Sequence, residues 1–175
     1  MQDRKNKLTE LTLCAVFLAV SVIISIVESI SGVNAFIPLP GVRLGFCNIA
    51  TAACFYLVSV SGAFAIAAVR PFFTFLFSGN PMSFVMGLCG SLLAFFSLVL
   101  TRKCYGRVFS FAGVSCISAV FHSLGQIFAA MIIMDDIALL WYLPTFLMAS
   151  SVAGSVSGSI MNFVIPRLPI KGGRI

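Results

Sequence analysis

The stretch MSFVMGLCGSLLAFFSLVLT, residues 82–101, carries no charged residue along its whole length. An α-helix needs about 20 consecutive apolar residues to cross the roughly 30 Å hydrocarbon core of a bilayer. This stretch is therefore predicted to be a transmembrane helix.

Five other apolar segments accompany this one, each bounded by Gly, Pro, Ser or charged residues. The predicted spans are residues 11–31, 44–60, 62–78, 82–101, 109–134 and 142–165. The last apolar run begins at Ile137, but Trp141, Tyr142 and Pro144 are typical of a membrane interface, so the span itself is placed from residue 142. The second and third spans are the shortest and are parted only around Ser61, which leaves open a tight helical hairpin or a partly re-entrant pair.

The composition excludes a soluble protein. Of 175 residues, 60% are hydrophobic and 9% are charged, whereas soluble domains carry roughly 25% charged residues. We expect an all-α integral membrane protein, a single transmembrane domain of about six helices (residues 1–175) in the lipid bilayer. The net charge of +6 is clustered at helix ends, so no nucleic-acid partner is expected.

The basic residues predict the orientation of the bundle through the positive-inside rule. They fall in three groups on one side of the predicted membrane: Arg4, Lys5 and Lys7, then Arg102, Lys103 and Arg107, then Arg167, Lys171 and Arg174. The other side holds Arg43, Gly79 and the pair Asp135 and Asp136. Both termini are therefore predicted to be cytoplasmic, in the cell membrane.

The sequence shows no motif of a self-sufficient enzyme. It contains no GxxxxGK[ST] phosphate loop, no DDxxD cluster for magnesium diphosphate, no GxSxG and no HExxH. The six cysteines show no CxxC spacing, and we interpret them as small buried hydrophobic residues. With a single His, no zinc site is expected. We predict no catalytic site, no metal and no cofactor.

Four ionisable residues within or near the spans are functional candidates, because a charge at the membrane centre costs about 2.5–3.5 kcal/mol or more. They are Glu28, Arg43, Arg70 and His122. Arg70 precedes Pro71 and shares a helix face with Thr74 and Ser78, and Ser115, Ser118, His122 and Gln126 form a second polar stripe.

Two facing polar stripes suggest a cavity, and we predict that the ligand-binding residues are Glu28, Arg43, Asn48, Arg70, Thr74, His122 and Gln126. The alternative is a structural hydrogen-bond network that holds helices together. For Glu28, the alternative is an interfacial carboxylate in contact with water. Small residues predict packing seams: Ala15 and Ala19 on the first span, and Ser150, Gly154 and Gly158 on the sixth.

The chain resembles a known family over nearly its whole length. Glu28, then IPLPGVRLGFCNI at residues 37–49, then Arg70 resemble the E…iP…PGvkLGlaNi…R pattern of the family called "Gx transporter" or "heptaprenyl diphosphate synthase component I". GVSCISAVFHSLGQ at residues 113–126 resembles its GvSilGAvxHNxGQ signature, with Ser118 in place of Gly and Ser123 in place of Asn. Residues 142–144, Tyr-Leu-Pro, match a third signature.

The resemblance implies a function as well as a fold. The family is similar in size and layout to the S components of energy-coupling factor (ECF) transporters, which bind a small-molecule substrate and work with a transmembrane coupling subunit and two ATPases. Ala15 and Ala19 match the place where S components meet the coupling subunit. The expected function is uptake of a small molecule, a prenyl or quinone precursor or a vitamin-like compound, bound beneath the loop 32–41. The alternative is a noncatalytic membrane component that assists a prenyl (heptaprenyl) diphosphate synthase.

Overall fold

A computed structural model describes residues 2–30, 43–104, 110–164 and 167. This part of the chain forms six α-helices: α1 Gln2–Ile30, α2 Asn48–Leu57, α3 Val60–Ser78, α4 Pro81–Thr101, α5 Phe111–Met134 and α6 Leu143–Val164. Short 3-10 turns at Arg102–Cys104 and Ile137–Tyr142 follow α4 and precede α6. The all-α fold class is therefore confirmed. The predicted loop 32–41 lies outside the described residues, as do Arg107, Lys171 and Arg174.

Five of the described helical segments are long and apolar enough to cross a membrane. They are Lys7–Ile30, Val60–Ser78, Pro81–Thr101, Phe111–Met134 and Ile137–Val164. Large hydrophobic side chains face outwards along them, and Leu100 is 73% exposed and Ile132 is 82% exposed. Such surfaces require lipid or another apolar partner around them. The chain is a multi-pass membrane protein.

The second predicted span, residues 44–60, differs from the structure. Its helix, α2, has 10 residues and is about 15 Å long at 1.5 Å per residue, half of what a crossing requires. The predicted span 44–60 is thus longer than its helix, and the structure shows five long helices and one short helix among the described residues.

The reason for the short helix lies in the residues before it. Gly45 has a φ of +88°, a left-handed conformation that glycine adopts without the steric cost of a Cβ. Its backbone N–H donates to Oε1 of Glu28 at 3.0 Å, and the backbone N–H of Arg43 donates to Oε1 of Gln126 at 3.0 Å. These side chains satisfy backbone groups that a helix would otherwise bond internally. The helix therefore begins only at Asn48.

The turn between α3 and α4 has sequence-encoded caps. Gly79 ends α3 in the left-handed conformation, with φ +65°. Asn80 then caps α4, because its side chain accepts from the backbone N–H groups of Met82 and Ser83, and Pro81 occupies the first helical position. Two residues thus reverse the chain between two long helices.

Helices α4, α5 and α6 pack most closely, through glycines at their contacts. A Cβ on Gly154 would lie 2.7 Å from Cα of Cys116, and one on Gly158 would lie 2.5 Å from Cα of Ala112. Only a residue without a side chain permits these helices to approach so closely. The packing seam predicted on the sixth span is confirmed for both glycines, and Ser150 beside them is fully buried.

Two apolar clusters occupy the two ends of the bundle. The first cluster lies at the end of the bundle where Arg102 and Lys103 follow α4, called here the basic end. It joins the C-terminal ends of α2, α4 and α6 to the starts of α3 and α5. It includes Phe55, Ala63, Leu98, Phe111 and Met161. The opposite-end cluster joins the start of α4 to the end of α5 and the start of α6, and it includes Leu44, Met86, Ile127, Leu139 and Phe146. Neighbouring helices along the chain therefore run antiparallel.

Candidate functional site

A layer of buried polar side chains lies between the two apolar clusters, with Arg70 near its centre. Arg70 is 2% exposed. Its Nη1 donates to Oδ1 of Asn48 at 3.2 Å and to Oγ of Ser21 at 3.4 Å, and its Nη2 donates to Oδ1 of Asn48 at 3.2 Å and to Oγ of Ser91 at 2.5 Å. The guanidinium on α3 thus joins α1, α2 and α4 through neutral acceptors.

Arg43 is the second buried guanidinium, just before α2. It is 4% exposed, and its Nη2 donates to Oγ of Ser83 at 2.8 Å. Its backbone N–H bonds to Gln126 on α5. Two segments that are distant in sequence therefore fix the backbone and the side chain of Arg43.

His122 and Gln126 form a hydrogen-bonded pair one helical turn apart on α5. Because Oε1 of Gln126 accepts from Arg43, its amide NH₂ group faces Nε2 of His122, at 2.8 Å. Nε2 must then act as the acceptor, so the imidazole carries its proton at Nδ1. This chain of bonds links α5 to the segment before α2.

Glu28 lies near the end of α1 and is 4% exposed. Its Oε1 accepts from the backbone N–H of Gly45, so this carboxylate holds the turn that precedes α2. Burial places it inside the bundle, which differs from the interfacial carboxylate that the sequence left open.

The hydroxyl of Thr74 forms its hydrogen bond within its own helix. Its hydroxyl donates to the backbone oxygen of Arg70 at 2.8 Å, within α3 itself. Ser78, which was predicted on the same polar face, is exposed. Among the described hydrogen bonds, Thr74 therefore contacts the layer only through its bond to the backbone of Arg70. The structure brings the other predicted ligand-binding residues together in one layer: Glu28, Arg43, Asn48, Arg70, His122 and Gln126.

Sequence reasoning missed three serines that complete this layer: Ser21 on α1, Ser83 and Ser91 on α4. Each is buried and bonds to an arginine. A signal was present, because Ser21, Ser25 and Glu28 recur at helical spacing on one face of α1. Nearer the start of α5, Oγ of Ser115 lies 3.3 Å from Oγ of Ser157 on α6.

An apolar cavity of about 380 Å³ opens beside the polar layer. Its wall includes Ile24, Val27, Glu28, Phe46, Ile49 and Ile160. Of the predicted ligand-binding residues, only Glu28 lines it. The other polar side chains pack against one another rather than around this space.

Ala15 and Ala19 lie away from the polar layer. Both are exposed on α1, whose contacts are with α2 and α3. Two exposed alanines at i and i+4 form a flat strip on which another helix could pack closely.

Five cysteines are free among the residues whose side chains the structure describes. Cys14, Cys47, Cys54, Cys89 and Cys116 form no disulfide with one another. Sγ of Cys14 lies 3.7 Å from Sγ of Cys54, which is a contact between α1 and α2.

Comparison with known proteins gives one clear result. No curated protein and no solved structure matches the chain. The family model described as "Heptaprenyl diphosphate synthase component I" matches residues 17–164, which runs from α1 to the last residue of α6 and includes the whole polar layer. The chain therefore belongs to the heptaprenyl diphosphate synthase component I family.

Proposed function

We propose that this chain is a noncatalytic membrane component that assists a prenyl diphosphate synthase. The observation that carries the proposal is the family match over residues 17–164. The sequence lacks the DDxxD cluster that would hold magnesium diphosphate, so the synthesis itself is assigned to a separate soluble chain. The membrane component would hold that enzyme beside the bilayer, into which the long apolar chain of a prenyl product partitions.

The docking surface for the synthase would be the basic end of the bundle. Lys7 begins the first spanning segment, Arg102 and Lys103 follow α4, and Arg167 follows α6. All four are exposed. Charge complementarity would guide an acidic patch of the enzyme to this end.

Co-sedimentation of the cognate synthase with proteoliposomes that contain this chain tests the proposal. The synthase is expected to pellet with these vesicles and to remain soluble with empty ones. The double variant Arg102→Glu/Lys103→Glu should lower recovery several-fold, whereas Asp135→Lys/Asp136→Lys, at the other end of the bundle, should not. A synthase that ignores the wild-type vesicles would contradict the proposal.

A second candidate function is that of a substrate-binding membrane subunit of the S-component type. Two observations favour it: the exposed strip of Ala15 and Ala19 on α1, and the buried polar layer. In this reading the strip packs against a transmembrane coupling subunit, two ATPases supply energy, and the polar layer binds a small-molecule substrate. A stoichiometric small molecule in the purified protein would support it, and a stable complex with a soluble prenyl synthase would favour the first function.

A further inference from the structure

The polar layer carries more positive than negative charge. Among the described residues the buried formally charged side chains are Glu28, Arg43 and Arg70. A buried lysine or carboxylate can neutralise itself by exchanging a proton, but arginine stays protonated in proteins. Even if Glu28 is fully ionised, it balances only one of the two guanidiniums.

The rest of the chain cannot supply the missing negative charge. Between Glu10 and Asp135 the sequence contains a single acidic residue, Glu28. Glu10 precedes Glu28 on the same helix by roughly 27 Å at 1.5 Å per residue. Asp135 follows the last residue of α5 and is exposed. At 1.5 Å per residue it lies about 13 Å beyond Gln126 along the helix. An unbalanced buried charge costs several kcal/mol, so an anion from outside the chain would stabilise the layer.

The geometry distinguishes the two arginines. Arg70 uses both of its terminal nitrogens on Asn48, Ser21 and Ser91. Arg43 bonds through Nη2 to Ser83, while its Nε has no hydrogen-bond partner in the described structure. Arg43 therefore has a buried donor without a partner among the described residues, whereas both terminal nitrogens of Arg70 are used.

We propose that Arg43 binds an oxyanion, a carboxylate or a phosphate group, beside the start of α4. The planar guanidinium matches the geometry of such groups, and hydrogen bonds between charged partners are roughly twice as strong as neutral ones. Ser83 accepts from Nη2 and has its own hydroxyl hydrogen to donate to the anion. Gln126 holds the backbone of Arg43 in place, so the donor is pre-positioned.

This site goes beyond the first proposed function, and under the second it would bind the anionic group of the substrate. A free small anion and the head group of an anionic amphiphile share the same chemistry at Arg43. The two sources differ in whether the anion must be attached to a hydrocarbon chain, and an experiment can separate them.

The test uses the full chain in phosphatidylcholine nanodiscs, with thermal unfolding followed as sodium phosphate or sodium acetate is added at constant ionic strength set by sodium chloride. We expect phosphate or acetate to raise the unfolding midpoint of the wild type. Arg43→Gln should need at least about ten times more anion for the same rise. Arg102→Gln, an exposed arginine at the end of α4, should behave as the wild type.

Nanodiscs that contain phosphatidylglycerol identify a lipid source. If they stabilise the wild type but not Arg43→Gln, while the soluble anions have no effect, the anion at Arg43 is a head group. If no anion distinguishes the wild type from Arg43→Gln, the proposal is overturned.

Stability without added anion provides an independent readout. Arg43→Gln removes one of the two buried positive charges, which should offset the loss of the bond to Ser83, so it should unfold no earlier than the wild type in phosphatidylcholine discs. Arg43→Lys keeps the charge and loses the Nε donor, so it should bind the anion more weakly than the wild type and more tightly than Arg43→Gln. A loss of stability in both variants together with unchanged anion response would show that Arg43 serves only the fold and would overturn the proposal.

Discussion

Arg70 donates from both of its terminal nitrogens to one atom, Oδ1 of Asn48, at 3.2 Å in each case. Asn48 is the first residue of the short helix α2, and Arg70 lies in the middle of α3. The pair therefore fixes where α2 begins against a long helix. Because Asn48 is neutral, it satisfies the donors of the guanidinium without balancing its charge.

Loss of the Arg70–Asn48 pair should destabilise the bundle. Hydrogen bonds to charged groups contribute about 1.5–3 kcal/mol each, so Arg70→Gln and Asn48→Ala should each lower the free energy of unfolding by about 2 kcal/mol or more. A double-mutant cycle should give a coupling energy of at least about 1 kcal/mol. As a control, Thr74→Val removes a hydroxyl that bonds only within α3, and its effect should add to that of Asn48→Ala. Additive effects of Arg70→Gln and Asn48→Ala would contradict this role.

A side chain at Gly45 should destabilise the protein through both backbone strain and crowding. Its φ is +88°, and a Cβ there would lie 3.0 Å from Nδ2 of Asn48 and 3.3 Å from Cδ2 of His122. Gly79 is the matched control, because its φ is +65° but a Cβ would meet nothing within 4 Å. Gly79→Ala should cost about 1 kcal/mol from backbone strain alone, and Gly45→Ala should cost clearly more. Equal unfolding free energies for the two variants would refute the crowding at Gly45.

The strip of Ala15 and Ala19 should matter for assembly and not for folding. Ala15→Leu/Ala19→Leu adds bulk on an exposed face, so the thermal unfolding midpoint should stay unchanged while recovery of a membrane-embedded partner falls several-fold. Val16→Leu/Val20→Leu is the control, since Val16 is 53% and Val20 is 42% exposed on a face that is already bulky. If Ala15→Leu/Ala19→Leu recovers the partner as well as the wild type does, the strip is not part of an interface.

The predicted orientation can be tested by labelling in intact cells. Asp136 and Lys103 are exposed at opposite ends of the bundle. The positive-inside rule places Lys103 in the cytoplasm. A membrane-impermeant maleimide should therefore modify Asp136→Cys and leave Lys103→Cys unmodified until the cells are opened. The reverse pattern would invert the topology.

The long helices could be predicted from the sequence because the bilayer sets a local requirement. The uncharged stretch at residues 82–101 corresponds to α4, Pro81–Thr101, and the capping residues Asn80 and Gly79 mark the turn before it. The second span, residues 44–60, could not be predicted in the same way. Its first residues are held by Glu28 and Gln126, which are remote in sequence, and hydropathy contains no information about such bonds.

The charged residues of the polar layer could be predicted from the sequence, whereas its serines could not. Arg43 and Arg70 stand out because an arginine within a membrane protein needs partners. Ser21, Ser83 and Ser91 do not stand out, because serine is common in membrane helices and its partner depends on how neighbouring helices are rotated. The predicted polar cavity also depends on such packing, and the structure shows the polar side chains bonded to one another with an apolar cavity beside them.

The most direct test of the proposed function is a synthesis assay with purified components in vesicles. Heptaprenyl diphosphate formation would be measured for this chain alone, for the cognate soluble synthase alone and for the two together. We predict no product from this chain alone, and a higher rate of membrane-associated product when both are present than with the synthase alone. Product formation by this chain alone, or a synthase whose rate and location are the same with and without it, would contradict the account.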